Sequence, residues 1–396
     1  MNVTDISDLK AQAQRRLPAV VYTYLEGGGY EEETLRRNRE DLRRFALVPR
    51  VLHDVTHRNM AVQIAGQKLA LPLVLGPVGA CGLAYPNGEV EAAKAAKAHG
   101  IPFCLSTLSI CTLEDVAEAI QEPFWFQLYV TRDRRVTEAL VYRARDAGCS
   151  MLVMSLDLHV RSQRHEEQKH DLYAPPKIDF RNLWDALTHP RWLLPMLKSR
   201  RHTFGNLIGL VKDARSVPEI TEWLEREFDP TVSLRDVEWA RKVWPGTLMV
   251  KGVLHPEDAR QCIAHGADGV IVSNHGGRQV DGAVSTCAIL PQVADAVNGA
   301  GAVLVDSGIR TGIDVLKMMA RGADACLIGR AYMYGLAANG RDGVSKAIDI
   351  ISKELSQTMG LCGCTDVRSL PFDLLVEEES LLRESARIPE ARARLI

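Results

Sequence analysis

The chain has 396 residues, enough for one large domain with an insertion, and 46% of them are hydrophobic, which supports a sizeable core. Its 48 Lys and Arg residues nearly balance 50 Asp and Glu residues, so the net charge gives no reason to expect a nucleic-acid partner. The nine cysteines form no CxxC pair, and we interpret them as reduced thiols without a metal site. The N-terminus is polar and no apolar run reaches the roughly 20 residues that span a bilayer, which together predict a protein kept inside the cell.

Short apolar runs recur along the chain after a helical N-terminal segment predicted over residues 1–70. Helical patterns such as GEVEAAKAAKAHG (88–100) separate the runs, and each run is continuously apolar, as expected for parallel strands covered on both faces. Eight strands alternating with helices predict a (β/α)8 barrel, an α/β fold of the TIM type, with a doubly wound open sheet as the alternative. The runs are LPLVLG (71–76), IPFCLS (101–106), FWFQLY (124–129), MLVMSL (151–156), TLMVKG (247–252), GVIVSN (269–274), AVLVDS (302–307) and ACLIGR (325–330).

The regular spacing is interrupted once, between the fourth and the fifth run. Residues 157–246 are too many for a single helical crossover, so this region carries an insertion. We therefore predict one domain over residues 1–396, with the barrel over about 71–345 and the insertion over about 165–240.

Polar residues cluster just past the carboxyl ends of the predicted strands, the face where barrel enzymes build their sites. The stretch SNHGGRQVDGA (273–283) is the most suggestive, because His275 and Arg278 with glycines between them suit a base beside an anion clamp. The other strand-end residues are Ser106, Gln127, Tyr129, Ser155, Asp157, Lys251, Ser273, Asp306, Gly329 and Arg330.

Glycine-containing loops predict where a phosphate and a flat ring bind. DSGIR (306–310) and IGR (328–330) follow the last two strands, where barrels commonly hold phosphate through backbone N–H groups and arginine. GPVGACG (76–82) lacks the acidic partner of a dinucleotide fingerprint. We interpret this loop as a close approach of the backbone to a flat ring.

In combination, SNHGGRQ, the upstream KG (251–252), DSGIR, IGR, FQLY and PVG resemble the FMN-dependent L-2-hydroxy acid dehydrogenase and oxidase family. The resemblance runs from Tyr24 to about residue 360. HPRW (189–192) and WLEREFDP (223–230) favour the bacterial membrane-associated L-lactate dehydrogenases within the family, followed by the (S)-mandelate dehydrogenases. The resemblance implies an FMN cofactor, a small 2-hydroxy acid as substrate, and a homotetramer.

The resemblance also implies roles for the site residues. His275 would be the catalytic base, with Asp157 stabilising its imidazolium and raising its pKa, and Lys251 would stabilise negative charge on the reduced ring. The substrate carboxylate would bind Arg164 and Arg278, because planar guanidinium groups suit a carboxylate. Residues expected to contact substrate are Tyr24, Tyr129, Arg164, His275 and Arg278. Residues expected around FMN are Pro77, Val78, Gly79, Ser106, Gln127, Ser155, Lys251, Ser273, Asp306, Gly308, Arg310, Gly329 and Arg330.

The substrate's side chain is left open by the sequence. Ser155 stands where the family usually has threonine, and Arg161 and Ser162 stand where the family more often has smaller or apolar residues and a glycine. Leu108 would provide an apolar wall, which suits lactate without excluding an aromatic ring. L-lactate is the favoured substrate, and (S)-mandelate is the alternative.

Two features bear on the electron acceptor. Gly79 resembles the dehydrogenases of the family, whereas its oxidases tend to have alanine there, so an oxygen-using oxidase is the weaker alternative. Residues 177–215 mix tryptophans and leucines with an excess of basic residues, which suits an anionic membrane surface and a membrane quinone as acceptor. We therefore expect a peripheral protein on the cytoplasmic side of the inner membrane. The basic residues are Lys177, Arg181, Arg191, Lys198, Arg200, Arg201, Lys212 and Arg215, against Asp179, Asp185 and Asp213.

Other functional classes compete with this interpretation. A flavin barrel isomerase or a nucleotide dehydrogenase would share the phosphate loops but would have no need of HGGR beside Arg164 and Tyr129. A flavin-binding scaffold without activity would have no need of an intact base, clamp and lysine. Whether His275 takes a proton from C2 or from the hydroxyl group is left open.

Overall fold

The computed structural model describes residues 2–169, 180–199, 201–211 and 217–378. Its N-terminal segment begins with helices, as predicted, and ends with short strands that the sequence analysis missed. These elements are α1 (Ile6–Arg16), α2 (Ala19–Glu26), α3 (Glu33–Arg43), β1 (Phe45–Leu47), β2 (Val62–Ile64) and β3 (Gln67–Leu69).

β2 and β3 form an antiparallel hairpin. Ala65 and Gly66 have φ of 45° and 85°, so both central residues of the turn are left-handed, which matches the twist of the flanking strands. The hairpin was missed because strands of three residues are too short for their alternating burial to stand out in the sequence.

The apolar runs form the predicted barrel. Among the described residues, eight parallel strands form one sheet, and a bridge between Leu75 and Phe103 brings its two edges together. The (β/α)8 fold is therefore confirmed. The strands are β4 (Leu73–Leu75), β5 (Cys104–Ser106), β6 (Trp125–Tyr129), β7 (Met151–Ser155), β8 (Thr247–Val253), β9 (Gly269–Val272), β10 (Ala302–Val305) and β11 (Ala325–Ile328), in the spatial order β4-β11-β10-β9-β8-β7-β6-β5.

Helices alternate with the barrel strands, and the predicted insertion follows β7. α16 (Arg330–Leu361) is interrupted by non-helical backbone at Asn339 and Gly340, and β12 (Leu375–Glu377) pairs with β1 of the N-terminal segment. The helices that alternate with strands are α4 (Cys81–Ala84), α5 (Gly88–Ala98), α6 (Leu113–Ile120), α7 (Arg134–Asp146), α12 (Leu234–Val243), α13 (Pro256–Ala264), α14 (Thr286–Val297), α15 (Gly312–Ala320) and α16 (Arg330–Leu361).

The insertion contributes α8 (His165–Lys169), α9 (Phe180–Thr188), α10 (Pro190–Leu197) and α11 (Val217–Glu227). α9 and α10 pack against each other as a helical hairpin. Trp192 anchors this hairpin to the barrel, because its indole N–H donates to the carbonyl of Leu83 at 2.8 Å. None of the helices in the described ranges combines the length and the apolar character needed to cross a membrane.

Candidate active site

A cavity of about 300 Å³ lies where the carboxyl ends of the barrel strands meet, within the size range of cofactor and substrate sites. Gln127, Asp157 and Ser273 lie outside its lining, and Ser155 lines a small adjoining pocket. The predicted residues that line the cavity are Tyr24, Pro77, Val78, Gly79, Ser106, Tyr129, Arg164, Lys251, His275, Arg278, Asp306, Gly308, Arg310, Gly329 and Arg330.

His275 is held between a carboxylate and a phenol. Its Nδ1 donates to Asp157 Oδ2 at 2.9 Å, and Tyr129 Oη lies 3.3 Å from its Nε2. Gly252 of the KG motif explains how Asp157 approaches so closely, since a Cβ at position 252 would lie 2.5 Å from the Asp157 side chain. With Nδ1 carrying the proton, Nε2 is the atom free to accept another one.

The pKa of His275 lies below its ordinary value. Burial lowers this pKa, the Asp157 carboxylate raises it and Lys251 lowers it again, so the imidazole is neutral near pH 7. Asp157 acts on this pKa in the predicted direction, but burial and Lys251 outweigh the carboxylate, so the net shift is downward. Burial raises the pKa of Asp157, but His275 and Lys251 lower it by more than burial raises it. The net pKa lies below its ordinary value, so the carboxyl group stays ionised.

The turn that carries His275 is conformationally unusual. His275, Gly276 and Gly277 have φ of 59°, 68° and 74°, so three successive residues are left-handed. Only His275 has a Cβ, so the steric cost of this conformation falls on the histidine. Side-chain oxygens accept each N–H of this turn, at 3.0 to 3.1 Å: Ser273 for His275, Ser307 for Gly276 and Asn274 for Gly277.

The N-terminal segment supports this turn through residues that the sequence analysis missed. Asn38 of α3 and Asn274 are buried and exchange two amide hydrogen bonds, of 2.9 and 2.7 Å. Gly29 N donates to the Gly277 carbonyl at 2.8 Å, and a Cβ at Gly28 would lie 3.0 Å from that same oxygen. The EGGGY run (26–30) was the available signal, because a glycine triplet permits such close backbone contact.

Lys251 provides a buried cation beside the histidine. Its Nζ donates to Ser273 Oγ at 2.8 Å and lies 3.3 Å from Asp306 Oδ2. Burial lowers the pKa of Lys251, but the carboxylates of Asp306 and Asp157 raise it above its ordinary value. The ammonium group is therefore charged, as its predicted role requires.

Arg164 and Arg278 both reach the cavity near Tyr24. Arg278 Nη1 donates to the carbonyls of Tyr24 and Gly27, at 3.0 and 2.6 Å, which fixes the plane of its guanidinium group. Within the described residues, Arg164 Nε is buried and has no hydrogen-bond partner. A buried donor without a partner carries a desolvation cost that an incoming anion would remove.

Arg330 was predicted to bind phosphate, and its guanidinium group also binds backbone carbonyls of the protein. Its guanidinium donates to the carbonyls of Leu25, Gly27 and Gly276 at 3.1, 2.8 and 2.9 Å, so it holds the α2 end against the His275 turn. Burial and the neighbouring Arg278 and Arg310 lower its pKa to about 10, which leaves it charged at neutral pH. Two of its five N–H donors remain for an anion.

The residues at the ends of β6 and β7 fit the expected flavin. Ser106 Oγ donates to Gln127 Oε1 at 3.1 Å, which leaves the amide Nε2 as a donor. In the part of the chain that the structure describes, Gln127 Nε2 and Ser155 Oγ are both buried without a partner. A flavin ring carries carbonyl and nitrogen acceptors along one edge, which matches these donors and the cation of Lys251.

Further cavity residues were not predicted. Leu158, Phe204 and Phe228 line the cavity together with Leu108, and Phe228 packs edge-to-face on Tyr129 with ring centroids 6.1 Å apart. Phe204 and Phe228 come from the long segment between β7 and β8, so no strand-end pattern marked them.

Comparison with known proteins places the chain. The sequence pattern of the FMN-dependent dehydrogenases matches residues 13–377. The crystal structure of the monotopic membrane protein (S)-mandelate dehydrogenase is similar, with 36% identity and a TM-score of 0.91 over 96% of this chain and 100% of that one. A soluble mutant of the membrane-associated (S)-mandelate dehydrogenase from Pseudomonas putida gives 36% identity and a TM-score of 0.80 over 95% and 100%. Mandelate oxidase with (S)-4-hydroxymandelic acid gives 36% identity and 0.81 over 94% and 98%.

Proposed function

The chain belongs to the family of FMN-dependent 2-hydroxy acid dehydrogenases and oxidases, and from that premise we propose that it oxidises L-2-hydroxy acids to 2-keto acids. The observation that carries the proposal is the neutral His275, whose Nε2 faces the cavity that Arg164 and Arg278 also line. A base and an anion clamp in one cavity are what the oxidation of a hydroxy acid needs.

The residues divide the work of the reaction. Arg164 and Arg278 bind the substrate carboxylate and orient C2 and its hydroxyl group toward His275. The substrate gives up two protons and two electrons, one of the protons passes to His275 Nε2, and Asp157 stabilises the imidazolium that results. FMN, when bound, would accept the two electrons together with the other proton, and Lys251 places a fixed positive charge in the wall of the same cavity.

We also propose that the enzyme is a dehydrogenase that passes its electrons to a membrane quinone. Gly79 supports a dehydrogenase, because the oxidases of the family tend to have alanine at this position. Tyr24 Oη donates a hydrogen bond to the Gly79 carbonyl at 3.2 Å. A Cβ at position 79 would lie 3.1 Å from Tyr24 Oη, so an alanine would crowd the substrate side of the cavity. The homotetramer implied by the resemblance stays a prediction.

The α9–α10 hairpin supports peripheral binding to the cytoplasmic face of the inner membrane. Phe180, Trp184 and Leu194 are 81%, 62% and 60% exposed, an unusual concentration of large apolar side chains on a surface. A similar structure is that of a protein described as monotopic. Arg191 and Lys198 are exposed on α10 and beside it. Of the other residues counted in this segment, Lys177, Asp179, Arg200, Lys212, Asp213 and Arg215 lie outside the described residues.

Two aromatic side chains favour a bulky substrate. L-lactate remains the prediction of the sequence analysis, but a methyl group would fill little of a wall formed by Leu108, Leu158, Phe204 and Phe228. A phenyl ring would pack against Phe204 and Phe228, which supports (S)-mandelate as the second candidate substrate.

Replacing the base tests the proposed chemistry. His275→Gln is expected to retain bound flavin and to lower turnover of L-2-hydroxy acids by about 100-fold or more, because the Glu167 and Asp306 carboxylates that also line the cavity are paired with Arg278 and Lys251. Flavin content and steady-state turnover are the measurements, and His57→Gln, at an exposed histidine outside the cavity, is the control. A His275→Gln protein with a tenth of wild-type activity would rule out the assignment.

Replacing the exposed apolar residues of the hairpin tests the membrane proposal. The triple variant Phe180→Ser, Trp184→Ser and Leu194→Ser is expected to stay in the supernatant when sedimented with anionic lipid vesicles, because it removes the apolar anchor. Its flavin absorbance and turnover with a soluble acceptor should not change. Phe372→Ser, at a side chain that is 105% exposed elsewhere, is the matched control. Unaltered sedimentation of the triple variant would refute the proposal.

Truncating one aromatic wall residue tests the substrate. If the enzyme uses (S)-mandelate, Phe204→Ala should lower kcat/KM for (S)-mandelate about tenfold relative to L-lactate, since only the phenyl ring loses a packing partner. L-lactate measured on the same preparation serves as the internal control. An unchanged ratio of the two kcat/KM values would count against the aromatic substrate.

A further inference from the structure

Glu167 places a third charged group between Arg164 and Arg278, the two arginines that we call the carboxylate clamp. This glutamate lies on α8, is only 3% exposed and lines the same cavity. Its Oε1 accepts a hydrogen bond from Arg278 Nη2 at 2.6 Å and another from Arg164 Nη1 at 3.3 Å. A carboxylate of the protein therefore bridges the two groups proposed to hold the carboxylate of the substrate.

The bridge to Glu167 leaves N–H donors on both arginines of the clamp for an incoming anion. Arg278 Nη1 already donates to two backbone carbonyls, and one Nη2 hydrogen goes to Glu167. A guanidinium group has five N–H donors, so Arg278 keeps its Nε–H and the second Nη2 hydrogen on one edge. Among the described residues, Arg164 Nε is likewise buried without a partner. These donors suit a single carboxylate in a bidentate arrangement.

The net charge of the clamp also favours the binding of a single monocarboxylate. Two guanidinium groups and one carboxylate carry a net charge of +1, which one monocarboxylate neutralises. Burial raises the pKa of Glu167, but Arg278 and then Arg164 lower it below its ordinary value, so Glu167 is ionised. Arg161 also lines the cavity, but Arg278 and Glu167 act more strongly than Arg161 on the pKa of Arg164, and Arg278 and Arg164 act more strongly on that of Glu167.

We propose that Glu167 is a specificity-determining residue that restricts the clamp to monocarboxylates and excludes 2-hydroxydicarboxylates. The inference rests on the proposed function, because it concerns the same clamp. With Glu167 present, a bound monocarboxylate completes the neutralisation of the clamp, and a second carboxylate of the same ligand would meet the apolar wall of Leu108, Leu158, Phe204 and Phe228. Without the charge of Glu167, the clamp would keep one uncompensated positive charge that a dianion satisfies.

Two unreactive acids of similar size test the proposal by binding alone. Propionate is a monoanion and malonate is a dianion, and neither carries a hydroxyl group to oxidise. Each is titrated into the FMN-bound protein, and the dissociation constant is read from the change in visible flavin absorbance. The variants are Glu167→Gln, which removes the charge, Glu167→Asp, which keeps it, and Glu166→Gln, a control on the same helix.

Wild type, Glu167→Asp and Glu166→Gln are expected to bind malonate no more tightly than propionate, and Glu167→Gln to shift the ratio toward malonate by about tenfold or more. An unchanged ratio in Glu167→Gln, or an equal weakening of both acids, would overturn the inference and leave the proposed function standing. Wild type that already prefers malonate tenfold would overturn it without any variant. If the wild-type protein bound neither acid, the assignment of Arg164 and Arg278 as the carboxylate clamp would be wrong, and the proposed function would fail with it.

Discussion

The hydrogen bond between His275 Nδ1 and Asp157 Oδ2 is the interaction on which the site depends. It joins the loop after β9 to the loop after β7, so it forms only because β8 lies between those strands in a closed parallel sheet. The glycine of the KG motif lets Asp157 lie against β8. The bond fixes which imidazole nitrogen carries a proton and directs the other toward the cavity, where a substrate must bind.

Buried charges surround that histidine in a fixed arrangement. Lys251 is held as an ammonium group by two carboxylates, Glu167 offsets one charge of the clamp, and Arg330 is paired with backbone carbonyls. Fixed charges in a cavity with little water stabilise developing charge without reorganising during the reaction. The N-terminal segment is part of this arrangement, because Gly27 accepts hydrogen bonds from both Arg278 and Arg330.

The sequence was sufficient to predict the barrel and the strand-end residues, because continuous apolar runs and the polar residues after them are local signals. It was not sufficient for Asn38, Glu167 and Phe204, which reach the site through contacts between segments far apart in the chain. The net downward shift of the His275 pKa could not be predicted from the sequence for a related reason. The sequence shows that an aspartate accompanies the histidine, but not how deeply both are buried or how near Lys251 lies. The resemblance to the family was confirmed over residues 13–377, which favours it over a flavin barrel isomerase or a nucleotide dehydrogenase.

The rate of flavin reduction under anaerobic single-turnover conditions, measured across pH in wild type and Asp157→Asn, tests the central claim most directly. A neutral His275 is required, so the wild-type rate should rise with pH through a pKa below the ordinary value for histidine. Asp157→Asn removes the group that raises this pKa and stabilises the imidazolium, so the acid limb should move to lower pH while the plateau rate falls. A variant with an unshifted acid limb and the wild-type plateau rate would contradict the account.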